Sequence, residues 1–396
     1  TLACFSLGLR RPPARTMAQS KQLRTAAALG VAASCGLLAL PFAAPRQAAT
    51  SSPALRASAV AQASSVAATS FAGGVAAASL AAAGVLARAA AAARGSRRLG
   101  RAAGASAVVL ERCTATVDES GALPVVKLAK GDATADVYLL GACITSYKTG
   151  GTEWICVRLD AKLDGSTGIK GGLPLCFPQF GPGPIQQHGF ARDLPWKLVG
   201  GDASSCVLEL TDNEETRSMW PHSFKIEFKV ALEDGQLTTK MTVENSGSDD
   251  FFFTTALHSY YNVSDVNTCT IKGDFKGADK LDMTQIGWAS WAEQGRCPEP
   301  SANVKGTDDT VTVTKVVQEI YLKVLPGSVT LSDPAKGSLG IVSGGGWKDC
   351  ILWNPYGDKN MGADNFVCVE SAALDTVALK PKGSWVATMN LVPKLK

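Results

Sequence analysis

The chain has 396 residues, and its formal charge of +4 averages two unlike pieces. Residues 1 to 110 hold twelve of the 39 Lys and Arg and no Asp or Glu, which leaves 27 basic against 35 acidic residues in the rest, a net of −8. The overall charge therefore says nothing about a basic surface for nucleic acid, no nucleic-acid partner is expected, and the acidic part is long enough to bury one sizeable core.

The first piece reads as an address. Arg10, Arg11, Arg15, Lys21 and Arg24 precede the apolar run "AAALGVAASCGLLALPFAA", the order of the charged and apolar regions of a signal peptide. A Ser, Ala, Thr and Arg-rich stretch follows, and then a second apolar run, "FAGGVAAASLAAAGVLA". This order resembles the bipartite plastid presequences of algae with complex plastids. It implies a plastid location, the cytoplasm being the alternative. Plain Ala-rich low complexity is the competing reading, and a membrane anchor is disfavoured because Ala and Gly are weakly apolar and Arg88 interrupts the run. Residues 1 to 105 are therefore set apart as a low-complexity presequence, disordered or partly helical. Residues 106 to 396 form the folded domain, with no stable membrane association expected of it.

From about residue 110 onward the pattern changes to period two. In "FKIEFKVALEDGQLTTKMTVENS", Phe224, Ile226, Phe228, Val230 and Leu232 alternate with Lys225, Glu227 and Lys229; Leu237, Thr239, Met241 and Val243 return after a turn at Asp234 and Gly235. That is a β-hairpin with one covered face. Short apolar runs recur at "CVLELTD", "FFFTTALHSYY", "EIYLKVL", "DCILWNP", "FVCVE" and "SWVATMNLV", parted by Gly, Pro, Asp and Asn. No long helical period competes with them. The expected fold is all-β, a sandwich of many short antiparallel strands.

Nine of the eleven cysteines follow residue 110, an odd number without a CxxC pair, and Cys176, Cys206, Cys350 and Cys368 sit inside apolar strands. They read as small buried hydrophobes in a reducing compartment. The three histidines, His188, His222 and His258, are far apart in sequence. No zinc site, other metal site or cofactor is expected, and "SGGGWKD" lacks the ending and the helix of a phosphate loop.

Polar residues stand out in four places. "GIKGGLPLCFPQFGPGPIQQHGFAR" packs Gly and Pro around Lys170, Gln187, His188 and Arg192, a rigid, turn-rich setting that suits functional side chains. "TTALHSYYNVSD" puts His258 at the end of an apolar strand. "FVCVESAAL" puts Glu370 on the face of Phe366 and Cys368, where a carboxylate is costly. "GADKLD" offers Asp279 in a loop. Taken singly, each has an ordinary explanation as a satisfied core histidine, a strand end, a solvated charge or a turn residue.

Together, "GGLPLCFPQFG", "QQHGFARDLPW", "ALHSYYNVSD", "WNPY" and "FVCVE", in this order, resemble the glucose-6-phosphate 1-epimerases, the hexose-6-phosphate mutarotase branch of the aldose 1-epimerase superfamily. The resemblance covers roughly residues 111 to 396. It implies a galactose-mutarotase-like β-sandwich, monomeric and metal-free, acting on a small-molecule hexose phosphate. By the same carry-over Glu370 is the base and His258 the acid that open and reclose the sugar ring, which interconverts the α and β anomers. Gln187 and Arg192 bind substrate, His188 is a wall residue that binds or orients the sugar, and Asp279 binds sugar hydroxyls. His222 matches nothing and is expected to be structural. Where relatives carry arginine before "GG", this chain has Lys170, a point charge without a planar fork, so its phosphate clamp is expected to be weaker or differently aimed. A silent carbohydrate-binding module, an epimerase of unphosphorylated sugars and a structural plastid protein are the alternatives.

Overall fold

The computed structural model describes residues 115–294, 297–299 and 304–396. The presequence expected over residues 1 to 105 lies outside them, as does Cys113. The hairpin is where the alternation placed it. Phe224–Glu233 pairs antiparallel with Gln236–Asn245, and Asp234 and Gly235 both take positive φ, 30° and 79°, in the two-residue turn. Glycine adopts that backbone without steric cost, and a turn of this hand matches the twist of the strands it joins.

Three sheets are described, all with antiparallel pairing between named strands. The hairpin belongs to a nine-stranded sheet that runs from Thr310–Thr312 at one edge, through Gly337–Gly345 and Ser384–Leu395, to Lys197–Asp202 at the other. A seven-stranded sheet carries Asp279–Asp282, Val317–Leu322, Asp349–Asn354, Phe366–Leu379, Phe251–Leu257 and Leu175–Cys176 in that order, with Tyr260–Asn262 also paired to Phe366–Leu379. A five-stranded sheet spans Val117–Asp118 to Thr152–Glu153. The apolar runs read from the sequence are thus strands of the two larger sheets.

Those two sheets pack face to face. Tyr261 Oη lies 3.7 Å from Met389 Sδ, Ser343 Oγ bonds Ser371 Oγ at 2.6 Å, and Thr255 reaches Met241 Sδ. Between them Phe224, Ile226, Phe228, Tyr261, Val367, Val369 and Leu391 are fully buried. Each large side chain removed from water contributes on the order of 1.5–3 kcal/mol, which fixes the face each strand presents and hence its register.

The strand Phe366–Leu379 departs from simple alternation. Its first nine residues are all buried, so both of its faces are covered. Val367, Val369, Ser371 and Ala373 point into the sandwich, which sends Phe366, Cys368, Glu370 and Ala372 to the outer face of the sheet. Three short helices that no sequence period announced, Glu214–Met219, Met283–Ile286 and Trp288–Gln294, complete the described domain.

Candidate active site

Register across the outer face of the seven-stranded sheet builds the floor of a cavity. Leu281 pairs with Ile320, Ile320 with Ile351 and Ile351 with Glu370, while Gln318 pairs with Trp353, Trp353 with Cys368 and Cys368 with Tyr260. Two adjacent cross-strand rows thereby bring Gln318, Ile320, Trp353, Ile351, Tyr260 and Glu370 under one cavity of about 550 Å³, within the range of small-molecule sites. Its walls come from residues 158 to 171, residues 180 to 193 and the Met283 and Trp288 helices.

His258 reaches the same floor by parity. In Phe251–Leu257, Thr255 faces the sandwich, so Ala256 and His258 turn outward; the His258 backbone N–H then donates to the Pro174 carbonyl at 2.9 Å, which ties the strand end to the turn-rich loop. His258 Nδ1 stands 3.4 Å from Glu370 Oε1. Neither His258 Nδ1 nor Glu370 Oε2 has a hydrogen-bond partner, although both are buried. Buried polar atoms are nearly always satisfied, so two orphans side by side in a cavity mark a ligand site. Burial drives the Glu370 carboxyl well above the carboxylate range, and burial, with repulsion from Arg192, pushes His258 down to about 3. Both shifts favour the neutral forms, and carboxyl and imidazole titrate as one coupled pair that shares a proton.

His188 closes the wall beside them, its ring 5.3 Å from that of His258 and 4.9 Å from Phe180. It sits in the left-handed region at φ 69°, a conformation rare outside Gly, Asn and Asp, and the following Gly189 has φ 71°. Gly189 admits no side chain, because a Cβ there would lie 2.1 Å from the Phe177 carbonyl oxygen. The Gly181 N–H donates to His188 Nδ1 at 3.2 Å, so the ring proton is on Nε2, 3.3 Å from the Gln187 amide. The atom placed against it is the Gln187 amide nitrogen. Burial, with His258 and Arg192 nearby, holds His188 neutral, its pKa lowered to about 2.

Gln187, Arg192 and Lys170 also line the cavity. Arg192 Nη2 donates to the Gln187 carbonyl at 2.9 Å, and its buried Nε has no hydrogen-bond partner. Lys170 is half exposed at the rim, 3.5 Å from Asp160. Asp279 is not brought to the cavity. It lies on the edge strand, three strands from Glu370, about 14 Å at the usual strand spacing, and ion-pairs with Lys305. The expectation that it binds sugar hydroxyls is corrected accordingly. His222 stays away from the cavity and packs its ring against Trp220 and Phe251.

Sequence reasoning missed Arg158, Asp193, Gln318, Trp288 and Trp353, all of which line the cavity. Trp288 Nε1 donates to Gln318 Oε1 at 3.3 Å and joins the helical wall to the floor. No local signal distinguishes these residues from surface or core positions, because their common location depends on strand order.

Among the described residues one group of side chains has the donors for a cation. His258, Cys368 and Glu370 offer three donor atoms within 4.8 Å of one another. The electrostatics oppose it: Arg192 and Arg158 already disfavour positive charge on His258, and burial and Glu370 drive the Cys368 thiol far above its ordinary value, against the thiolate a metal requires. The arrangement suits proton transfer.

A β-sandwich that aligns a buried carboxyl and an imidazole on its outer face, under a cavity with amide and guanidinium walls, defines an acid–base enzyme for a small polar ligand. Residues 124–391 match the family model described as aldose 1-epimerase, and the chain belongs to that family of isomerases. It is 30% identical over 289 residues to a Cenchrus ciliaris protein named "Putative glucose-6-phosphate 1-epimerase", covering 67% of this chain and 83% of that one. A protein of the same name from Escherichia coli K12 is 31% identical over 258 residues, covering 60% and 79%. In solved structures the fold is similar to that of a "putative mutarotase" of Salmonella typhimurium, with a TM-score of 0.60 and 22% identity over 72% of this chain and 94% of that one.

Proposed function

We propose that the chain interconverts the α and β anomers of a hexose 6-phosphate, glucose 6-phosphate foremost, by acid–base ring opening and reclosure. The observation that carries this reading is the unpartnered Glu370–His258 pair on the cavity floor. Ring opening removes a proton from the anomeric hydroxyl and adds one to the ring oxygen, two atoms on the same carbon. A pair that holds one proton supplies both operations: Glu370 as carboxylate takes the hydroxyl proton, and His258 as imidazolium gives one to the ring oxygen. Moving the shared proton from Glu370 to His258 reaches that state without any exchange with solvent. Rotation about the bond to the aldehyde carbon exposes its other face, and the reverse transfers close the ring. Each transfer accounts for ~10²–10⁴ in rate.

His188, Gln187 and Arg192 then bind and orient the sugar, and Lys170 with Arg192 supplies positive charge for the 6-phosphate. The relatives named above carry glucose-6-phosphate 1-epimerase in their names, which supports the phosphorylated substrate. The basic, acid-free segment over residues 1 to 110 supports delivery to a plastid; among the described residues no helix is long and apolar enough to cross a membrane.

The test is exchange NMR on equilibrated glucose 6-phosphate, glucose and galactose. Enzyme-dependent exchange between the anomeric resonances, fastest for the phosphorylated sugar, is expected. No acceleration of any of the three sugars overturns the reading.

A further inference from the structure

We infer that Arg158 is the planar fork that grips the phosphoryl group in this cavity, and that Asp160 is the positioning residue that sets the plane of the fork. The inference rests on the hexose-phosphate reading and adds a residue and a geometry to it. Arg158 stands directly beside Lys170: Val157 bridges to Gly171, and the Arg158 N–H donates to the Lys170 carbonyl at 3.1 Å. Its side chain is only 11% exposed, yet it lines the cavity. A guanidinium is costly to bury unless its donors are used.

Five N–H groups are available on arginine. Nε donates to Asp160 Oδ1 at 2.8 Å and Nη2 to Asp160 Oδ2 at 2.6 Å, a parallel pair that fixes the guanidinium plane. Tyr260 lines the cavity floor. Three N–H groups then remain, and two of them, one each on Nη1 and Nη2, lie side by side on the edge away from Asp160, the number a phosphoryl group accepts. Lys170 alone offers no such fork, since its ammonium is a point charge on a flexible stem. Asp160 also accepts Lys170 at 3.5 Å, so one carboxylate gathers the fork and the point charge at one place on the wall. Counting Asp160, the wall cations Arg158, Lys170 and Arg192 and the wall anion Asp193 leave one net positive charge for a phosphate monoester that carries close to two negative ones at pH 7.

The experiment measures kcat and KM for glucose 6-phosphate and for glucose, and the affinity for inorganic phosphate by calorimetry, in the full-length protein. Arg158→Ala is expected to raise KM for glucose 6-phosphate at least about 30-fold more than KM for glucose, as the loss of two charge-assisted bonds requires. It should weaken phosphate binding by a similar factor. Arg158→Lys keeps the charge and loses the fork, so it should recover less than half of the loss on a logarithmic scale. Asp160→Asn should raise KM for the phosphorylated sugar more than it lowers kcat.

Equal changes for both sugars in Arg158→Ala, or full recovery by lysine, would overturn the inference and leave Arg158–Asp160 as a loop staple. If the unmodified protein shows no preference for glucose 6-phosphate, the hexose-phosphate reading fails by itself. The phosphate titration then decides Arg158 separately: binding that Arg158→Ala abolishes upholds the fork, and binding that it leaves intact removes it.

Discussion

Replacing Glu370 with glutamine separates the chemistry from the fold. Glu370 is buried, and burial favours the protonated form of its carboxyl. Glutamine has nearly the same volume and is also neutral, so the strand Phe366–Leu379 keeps its packing. The amide brings one further buried donor beside an oxygen that is already unpartnered, which costs less than about 2 kcal/mol. The catalytic loss is larger. Glutamine cannot receive a proton, so the transfer worth ~10²–10⁴ disappears, which corresponds to ~2.7–5.4 kcal/mol at 1.36 kcal/mol per decade. Thermal unfolding should therefore stay close to that of the unmodified protein while enzyme-dependent anomerisation falls at least a hundredfold or so. The assay is exchange NMR between the two anomers at equilibrium, with the spontaneous rate subtracted. Activity within about fivefold of the unmodified protein would refute the assignment of Glu370 as base, because no single proton transfer of that kind is worth so little.

The remaining expectations follow from charge and from domain limits. Acid must add a second proton to the Glu370–His258 pair to remove the base, and with His258 lowered to about 3 the acid limb of kcat/KM should lie well below 6.5; alkali removes the last proton only above the raised Glu370 value, so the profile should be flat across neutrality, and a limb centred near 6.5 would sink the shared-proton reading. Arg192→Ala should raise KM for glucose 6-phosphate more steeply than KM for glucose, whereas equal losses would set Arg192 against the sugar ring and away from the phosphate. A chain beginning at Ala105 should be soluble, β-rich by circular dichroism and active, since the family match begins at residue 124; failure to fold would mean that part of the domain lies further upstream. Residues 1 to 105 fused to a fluorescent reporter should enter the plastids of a suitable alga, and a reporter left in the cytosol would remove the plastid reading alone.

Much of the architecture was legible in one dimension because β-sheets write their burial into the chain with a period of two. The run from Phe224 to Leu232 and the Asp234–Gly235 turn specify a hairpin by themselves, since apolar area and φ > 0 are local demands. Glu370 was also visible, as a carboxyl on an apolar face, and His258 as the residue that closes a strand. Asp279 was not placed correctly. Its loop-like setting says nothing of strand order, and the seven-stranded sheet puts Asp279–Asp282 at an edge, where Lys305 meets it.

The residues that sequence could not gather are those whose proximity is a matter of register. Gln318, Trp353 and Tyr260 line one cavity only because their strands pair at those positions, and a slip by one residue would turn each of them to the other face. Arg158 and Asp160 carry no signal in the sequence, and only the bridge from Val157 to Gly171 sets them against Lys170. The protonation of the site also belongs to the tertiary structure. Glu370 and His258 have ordinary chemistry in a free chain, and it is the enclosure of both under the same walls, with Arg192 beside His258, that raises the one and lowers the other toward their neutral forms. The sequence by itself determined the fold class, the hairpin and the chemical types at the site, because side-chain alternation and turn conformation are short-range. Which of those side chains share a cavity, and how many protons they hold, was decided by the pairing of strands distant in the chain and by the desolvation that follows from it.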